Sequence, residues 1–297
     1  MNRIILIAGG TGLIGTLLVK ELERNNHKVR ILTRNKRKCD RQKFFFWDPD
    51  AKELDRNALT DVDTIINLTG AGIADKRWTS ERKRELIDSR VKPALFLESF
   101  ADEMPGLKQY ISASGINCYP IDENSHAEAD AYGSDFLSHI VKEWEQAAKS
   151  FEKYCPVTLV RISTVLTQSG GALEKMAAPF KLYVGSPLGN GQQPMCWVHQ
   201  DDLIRAFVYL MEHQLEGAYN VSGEQVSNKE FSRILAKHLH KPMLPFGVPG
   251  FVLKLVLGQM SEILLKGPKV DTSKLQQTGF SMKYKTIEAA LNNLMPA

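Results

Sequence analysis

A glycine-rich turn between an apolar strand and a helix is the feature that most constrains this fold. The apolar run Ile4–Ala8 leads directly into the turn Gly9–Gly15, and the helical pattern Leu13–Leu22 follows. In this arrangement the early glycines permit a tight turn, Gly12 lets a diphosphate approach bare backbone, and Gly15 lets the helix pack close to the strand. Free N–H groups and the positive helix end favour an anion there. The alternative is a tight turn without a ligand. The predicted diphosphate-binding residues are Gly9, Thr11, Gly12, Leu13, Ile14 and Gly15.

The first half of the chain alternates short apolar runs with longer amphipathic ones, which is the pattern of βαβ units. Several apolar runs are continuous, as a parallel sheet covered on both faces requires. The pattern predicts an α/β fold: a Rossmann-like, doubly wound parallel sheet with a smaller, mainly C-terminal lobe. The predicted strands are Ile4–Ala8, Lys28–Thr33, Phe44–Trp47, Thr64–Leu68, Tyr110–Ala113 and Val157–Ile162.

Apolar residues at helical spacing predict two of the helices. Ser80 and Glu81 are typical of a helix start, and we expect that helix to begin at residue 81. Its predicted buried face consists of Ile87, Val91 and Leu95. The apolar stripe of a later helix consists of Phe136, Ile140, Trp144, Ala147 and Phe151.

Differences in composition along the chain divide it into three parts. Residues 1–165 are the predicted dinucleotide-binding domain, to which a segment at about 195–225 returns. Residues 166–240 are rich in glycine and proline, which indicates loops shaped around a substrate. Residues 241–297 are the predicted small helical domain, which includes the apolar helix Phe251–Leu257.

Cofactor choice is expected at the end of the second strand, about 20 residues after the turn. An NAD-binding protein usually has an acidic residue there, whereas this chain has Thr33 and Arg34, and its first acid is Asp40. A carboxylate would repel a 2′-phosphate, and a guanidinium binds one through several donors. The sequence therefore predicts NADP(H), with Thr33 and Arg34 at the 2′-phosphate; a solvated basic loop is the alternative.

Two further groups of residues are expected at the carboxyl ends of strands, where ligands bind in open α/β sheets. Asn67, Thr69, Gly70 and Ala71 follow the fourth strand and are predicted to line the cofactor ribose, or else to form a plain turn. Arg161 ends the sixth strand and is predicted either to bind the cofactor or to form a buried ion pair.

Charge and cysteine content argue against several classes of function. Lys and Arg number 38 against 34 Asp and Glu, a net charge of +4 that is too small to indicate nucleic acid. The basic run Arg82–Arg84 is predicted to lie on a solvated helix face. The four cysteines form no C-x-x-C pair, so we expect no metal site, no disulfide framework and a reducing, cytoplasmic location. No stretch approaches about 20 apolar residues, so we expect no membrane association.

With these elements in place, the sequence resembles the extended short-chain dehydrogenase/reductase superfamily, whose members include NAD-dependent epimerases and dehydratases. It is most similar to the YfcH-like group of epimerase family proteins. This resemblance implies a Rossmann-like fold, a cytoplasmic NADP(H)-binding protein and a homodimer. The motifs that carry it are Gly9–Gly15, Asn67–Gly72, Lys76–Trp78, Ser89-Arg90, Tyr110–Ser114, Arg161, Val165-Leu166, Gly170-Gly171, Trp197–Asp202, Tyr219–Val221 and the C-terminal stretch Leu244–Leu291.

The resemblance also implies a catalytic serine or threonine after the fifth strand and a Tyr-x-x-x-Lys motif on the next helix. Ser114 matches the serine position, but the helix that follows has no Tyr-x-x-x-Lys. Tyr119 and Tyr132 are the nearby phenols that could replace the tyrosine as general acid/base. Two hypotheses follow. The first is an NADP(H)-dependent oxidoreductase or epimerase that acts on a small polar substrate; the second is a non-catalytic NADP(H)-binding redox sensor or regulatory protein.

Overall fold

A computed structural model describes residues 2–40 and 42–296 of the chain. Within them lie thirteen strands and ten α-helices. The strands are β1 (Ile4–Ala8), β2 (Lys28–Thr33), β3 (Phe44–Asp48), β4 (Glu53–Leu54), β5 (Thr64–Asn67), β6 (Gln109–Gly115), β7 (Ser125–His126), β8 (Val157–Ile162), β9 (Thr164–Leu166), β10 (Pro194–His199), β11 (Gly217–Val221), β12 (Gln225–Ser227) and β13 (Lys269–Val270). The helices are α1 (Leu13–Arg24), α2 (Ser80–Glu98), α3 (Phe136–Lys149), α4 (Gly171–Lys181), α5 (Gln200–Glu212), α6 (Asn228–His238), α7 (Gly250–Leu257), α8 (Glu262–Leu265), α9 (Ser273–Gln277) and α10 (Ile287–Leu294).

The central sheet has the strand order β11-β8-β6-β5-β1-β2-β3-β4. All neighbours in it are parallel except β4, which runs antiparallel to β3. The predicted α/β fold and the six predicted strands are confirmed. The chain order reverses between β1 and β5, so a crevice opens there at the carboxyl edge, where α/β proteins bind ligands.

Both faces of this sheet are covered, which explains its continuous apolar strands. Successive residues of β1 point to opposite faces: Ile5 and Ile7 pack with α1 and α5, and Leu6 packs with residues of α2 and α3. All three of these side chains have no exposed surface. The glycine turn is therefore fixed at one end by a fully buried strand.

The observed buried face of α2 is shifted by one residue from the predicted face of Ile87, Val91 and Leu95. Leu95 is 44% exposed, whereas Leu86 and Ala94 are completely buried, and Ile87 and Val91 are half-buried. The helix begins at Ser80, and its N-cap is Thr79, whose side chain accepts a hydrogen bond from the Arg82 amide. The buried stripe also contains arginines, which is why an apolar pattern alone misplaced it.

The remaining buried face of α2 includes Arg82, which is only 7% exposed. The prediction that the whole basic run is solvated is therefore wrong for this residue, although Arg84 is exposed.

On α3 the predicted stripe is confirmed, since Ile140, Trp144 and Ala147 are buried.

The C-terminal half adds a second, smaller layer beside the sheet. Strands β12, β10 and β9 form a three-stranded sheet, and β13 pairs with β7. A separate apolar cluster joins α6 and α10 around Trp197 and Phe231. The predicted helix Phe251–Leu257 is present as α7, but none of its residues is buried. Among the described residues, no helix has the length and apolar content needed to cross a membrane.

The α2 register generates a direct test of stability. We expect Leu86→Ala to lower the free energy of unfolding by about 2–5 kcal/mol, because it opens a cavity in a fully packed region. The matched change Leu95→Ala, on the exposed side of the same helix, should cost less than about 1 kcal/mol. Urea unfolding of both variants measures this difference, and equal losses would contradict the observed register.

Candidate functional site

The glycine turn brings the start of α1 directly onto the end of β1. A Cβ atom on Gly15 would lie 2.2 Å from the Gly9 carbonyl oxygen, so only glycine allows this approach. Gly9 itself has φ +82°, and a Cβ there would lie 2.8 Å from the Leu68 carbonyl carbon. No side chain caps the N-terminus of α1 within the described residues. The first-turn amides of this helix are therefore available to an anion.

The loop that follows β5 forms the opposite wall of the crevice. The Asn67 side chain is fully buried; it accepts hydrogen bonds from the Thr69 amide (3.0 Å) and hydroxyl (2.7 Å) and donates one to the Tyr110 hydroxyl (2.9 Å). Asn67 therefore shapes the loop from beneath. The residues that face the crevice are Thr69, Gly70 and Ala71.

Two buried arginines of α2 hold this wall in place, and sequence reasoning gave neither a role. Arg90 donates to the Ala71 carbonyl (3.0 Å), and Arg82 donates to the Gly72 carbonyl. The neighbouring Ser89 hydroxyl accepts from the Ala71 amide at 3.0 Å. The spacing Arg82, Leu86, Arg90 places the arginines in line with a buried leucine on one helix face, and that spacing is the signal that could have revealed them.

Arg90 is a buried cation without a carboxylate partner in the described part of the chain. Burial, and after it the nearby charge of Arg82, lowers the pKa of Arg90 to about 10. Its guanidinium lies over the Trp144 ring at 4.9 Å, and its Nε is buried without a hydrogen-bond partner among the described residues. A positive charge thus lies directly behind the loop that forms one wall of the crevice.

Between these walls lies a cleft of about 740 Å³. Most of the residues predicted to bind the cofactor line it; they are Gly9, Thr11, Gly12, Thr33, Arg34, Thr69, Gly70 and Ala71. Five others do not belong to its lining: Leu13, Ile14, Gly15, Asn67 and Arg161. The roles of all thirteen residues remain predictions. The cleft is nevertheless lined by residues that follow three different strands, β1, β2 and β5.

The outer end of the cleft combines apolar surfaces with free positive charge. Trp47, Pro49 and Pro93 line this end, as a flat aromatic base would require. Arg34 is exposed at the rim, and its side chain forms no ion pair or hydrogen bond within the described residues. Lys92 spans the mouth by pairing with Asp50 at 3.4 Å.

The predicted catalytic residues meet elsewhere, around a buried ion pair that sequence reasoning left open. Glu145 of α3 is 1% exposed, and its two carboxylate oxygens accept from Nε and Nη2 of Arg161, each at 2.8 Å. The hydroxyls of Ser114 and Tyr132 also donate to this carboxylate, each at 2.5 Å. Arg161 thus takes the buried ion-pair alternative in this structure.

Tyr119 completes the cluster from the other side of Arg161. Its hydroxyl accepts from Arg161 Nη1 (2.8 Å) and donates to the Asn220 side-chain oxygen (2.7 Å). Burial raises the pKa of both Tyr119 and Tyr132 well above the ordinary value, and the hydrogen bond to Glu145 raises that of Tyr132 further. A tyrosinate base needs the opposite shift, a pKa lowered toward neutrality.

The α3 face that meets the end of β6 is apolar where the resemblance implies a lysine and a tyrosine. Val141 lies opposite Gly115, 3.7 Å from where a Cβ would be, and Leu137 is buried one turn earlier. Ser114 is only 3% exposed, and neither it nor the two tyrosines line the cleft. The structure thus brings Ser114, Tyr119 and Tyr132 together around the Glu145–Arg161 pair, so they share this cluster with one predicted cofactor residue, Arg161, and lie outside the lining of the cleft.

The fold and the glycine turn together define a Rossmann-like, NAD(P)-binding type of protein. Family comparison agrees: residues 5–222 match the NAD dependent epimerase/dehydratase family, and residues 248–294 match a C-terminal domain described as a domain of unknown function. The chain belongs to the NAD dependent epimerase/dehydratase family.

Individual relatives cover nearly the whole chain. An epimerase family protein of Staphylococcus epidermidis is 37% identical over 300 residues, which cover 98% of this chain and 99% of that protein. One from Staphylococcus aureus is 35% identical over 296 residues, 98% of each chain. The crystal structure of the human epimerase family protein SDR39U1 with NADPH has a TM-score of 0.90 at 27% identity and covers 98% of this chain and 99% of that one.

The buried pair predicts a pH-dependent stability. Although burial raises the pKa of Glu145, the hydrogen bonds and charge of Arg161 outweigh it and lower that pKa below the ordinary value. The unfolded chain therefore binds a proton at a higher pH than the folded chain, and the stabilisation is lost as pH falls through the folded pKa. We expect Glu145→Gln to cost about 3–5 kcal/mol at pH 7 and progressively less in acid.

Chemical unfolding between pH 7 and pH 3 measures this difference. The matched control is Glu143→Gln, on the same helix, whose side chain is 39% exposed and pairs only loosely with His139. It should change stability by less than about 0.5 kcal/mol at every pH. A constant gap between wild type and Glu145→Gln across this range would contradict the depressed pKa.

Proposed function

We propose that this protein binds NADP(H) in the cleft between the glycine turn and the loop after β5. The observation that carries this proposal is that Arg34, whose side chain has no ion pair or hydrogen bond within the described residues, lies at the rim of a cleft that Gly9, Thr11 and Gly12 also line, at the N-terminus of α1. A diphosphate would occupy the amides of the first turn of α1, and a 2′-phosphate would lie beside Arg34. NADPH is the ligand named in the related human structure, which supports the same choice here.

The positive charge near Arg34 is not confined to one residue. Arg34, Asn35, Lys36 and Arg37 together line a second cleft of about 520 Å³ that adjoins the first. The Arg37 side chain also has no ion pair within the described residues, whereas Lys36 lies 3.4 Å from Glu53. Arg34 lines both clefts, so a 2′-phosphate beside it would lie at the edge of this basic segment, which favours NADP(H) over NAD(H).

We further propose that the protein acts as a non-catalytic NADP(H)-binding protein, a redox sensor or regulator. A short-chain dehydrogenase needs a hydroxyl beside the cofactor and a phenol of lowered pKa. Here the hydroxyls of Ser114 and Tyr132 donate to Glu145, and burial raises the pKa of the nearby phenols. These side chains bind a buried ion pair and lie outside the lining of the cleft, which supports a role other than proton transfer there.

The second candidate function is an NADP(H)-dependent oxidoreductase or epimerase with a small polar substrate. The observation that favours it lies beyond Ala71, where the loop after β5 faces α4. Asp75 and Lys175 pair there at 3.1 Å while remaining 58% and 60% exposed, so polar groups are accessible to a substrate. In this candidate the bound cofactor supplies or accepts a hydride, and the acid/base group comes from outside the Glu145 cluster.

Cofactor preference tests the first proposal. We expect NADPH to bind at least about ten-fold more tightly than NADH, because charge-assisted hydrogen bonds to Arg34 are made only by the 2′-phosphate. Arg34→Asp should abolish or reverse that preference. Fluorescence titration of the two nucleotides measures the change. The control Arg24→Asp, an equal charge change on the outer side of α1, should leave it intact, and equal affinities in the wild type would refute the assignment.

Turnover separates the two candidate functions. For a non-catalytic protein, we expect saturable NADPH binding without NADPH oxidation across a panel of sugar nucleotides and small carbonyl compounds. Ser114→Ala should then leave NADPH affinity within about two-fold of wild type. Sustained turnover in the wild type that disappears in Ser114→Ala, with binding preserved, would instead establish the enzyme and place Ser114 in its mechanism.

A further inference from the structure

Large apolar side chains are exposed on one region of the C-terminal half, away from the cleft. Eight of the eleven large hydrophobic residues that are exposed in the described residues belong to two short segments, 182–184 and 244–256, so they are clustered and not scattered. We name them the apolar surface, and they are Leu182, Tyr183, Val184, Leu244, Phe246, Phe251, Leu255 and Val256.

Hydrogen bonds show that the two segments lie side by side. The Leu244 amide donates to the Gly185 carbonyl (2.9 Å), and the Lys241 ammonium donates to the Tyr183 hydroxyl (2.6 Å). Helix α7 follows immediately after Pro249, which is its N-cap. Leu265 lies against both the 187–191 loop and the first residue of α7, so this helix is held next to the same loop. Both segments therefore lie next to the loop of residues 185–191.

These side chains project outward. Phe246 is 81% exposed, Leu255 78%, Phe251 73% and Leu182 72%. Residues that line a groove for a peptide or a small molecule are partly covered by its walls, whereas these have little protein around them. Exposed apolar side chains of this kind can be buried in the interfacial region of a lipid bilayer, at the boundary between headgroups and acyl chains.

The two stretches of sequence that contain these segments carry only positive charges. Between Glu174 and Asp201, and again between Glu230 and Glu262, the sequence contains no acidic residue. Lys181 and Lys254 are exposed within these stretches, and neither has a carboxylate partner among the described residues. On α7, Lys254 follows Phe251 by three residues and thus lies on the same helix face. Lysine stems can extend along apolar surface while the ammonium reaches a phosphate.

We propose that the apolar surface docks this protein onto a membrane whose surface lipids are anionic. Phe246, Phe251 and Leu255 enter the headgroup region, and Lys181 and Lys254 bind lipid phosphates. A second copy of the chain fits less well, because a two-fold contact through the same two stretches would bring no carboxylate to these lysines. This proposal revises the expectation of no membrane association, which rested on the absence of a spanning segment.

Vesicle sedimentation tests the proposal on the full chain. With vesicles of phosphatidylcholine containing about one third phosphatidylglycerol, we expect at least ten-fold more bound protein than with phosphatidylcholine alone. The combined change Phe246→Asp, Phe251→Asp and Leu255→Asp should reduce binding at least ten-fold. Lys181→Glu and Lys254→Glu should each reduce it about five-fold, and raised salt should reduce it further.

The controls are equal changes on exposed sites elsewhere. Ile121→Asp replaces an apolar side chain that is 44% exposed, and Lys20→Glu reverses a charge on α1; both should bind vesicles like the wild type. Unchanged NADPH binding and thermal unfolding show that each variant is folded. Three outcomes overturn the proposal: no vesicle binding by the wild type, equal binding by the triple variant, or a dimer that the triple variant abolishes while vesicles bind neither protein.

Discussion

The close approach of α1 to the end of β1 is the constraint on which the rest of the site depends. Because Gly15 has no side chain, the first turn of the helix can rest on the Gly9 carbonyl, and its amides then point into the crevice where the strand order reverses. This position of the helix can define a cleft only if the facing wall is equally fixed. Arg82 and Arg90 fix it, since each guanidinium donates to a carbonyl of the loop after β5. The turn can be read from the sequence, whereas the two arginines were not recognised there. The turn and the arginines together define the two walls of one cleft.

A second constraint separates the cofactor cleft from the chemistry usually attached to it. A carboxylate as buried as Glu145 is stable as an anion only when cations and donors surround it. Arg161 supplies the charge, and the hydroxyls of Ser114 and Tyr132 supply further donors. Once they satisfy this carboxylate, the hydroxyls face the protein interior. The same scaffold that supports hydride transfer in dehydrogenases can therefore hold a cofactor while its serine and tyrosines serve stability.

Local patterns made much of the fold predictable, and non-local pairing limited the rest. Strand periodicity and the glycine spacing are properties of neighbouring residues, so the sequence predicted six of the eight strands of the central sheet, all but β4 and β11, and it predicts the diphosphate site. The buried face of α2 was not predicted correctly, because a search for apolar residues passes over Arg82 and Arg90, although their spacing from Leu86 places all three on one helix face. Glu145 directly follows Trp144 of the apolar stripe. It forms hydrogen bonds with Arg161 and Ser114, which are 16 and 31 residues away, so no local pattern indicates its role. For α7, the sequence predicted a helix, but its exposure depends on neighbours that only the fold supplies.

Helix α2 connects the two proposals physically. On one side Arg82 binds the Gly72 carbonyl in the wall of the cleft, and one residue later Lys83 donates to the Gln259 side chain at 2.6 Å, just beyond α7. Arg77, in the loop between the cleft wall and α2, donates to the Leu255 carbonyl of α7 at 3.4 Å. A displacement of this wall on cofactor binding would therefore reach the apolar surface directly through one of these contacts, that of Arg77 with Leu255. Thermodynamic linkage makes such an effect reciprocal: a lipid surface that favours one position of α7 would change the affinity for NADP(H) by the same factor. The proposed redox sensor requires a physical output of this kind, and the contact of Arg77 with Leu255 lies between the two proposed sites.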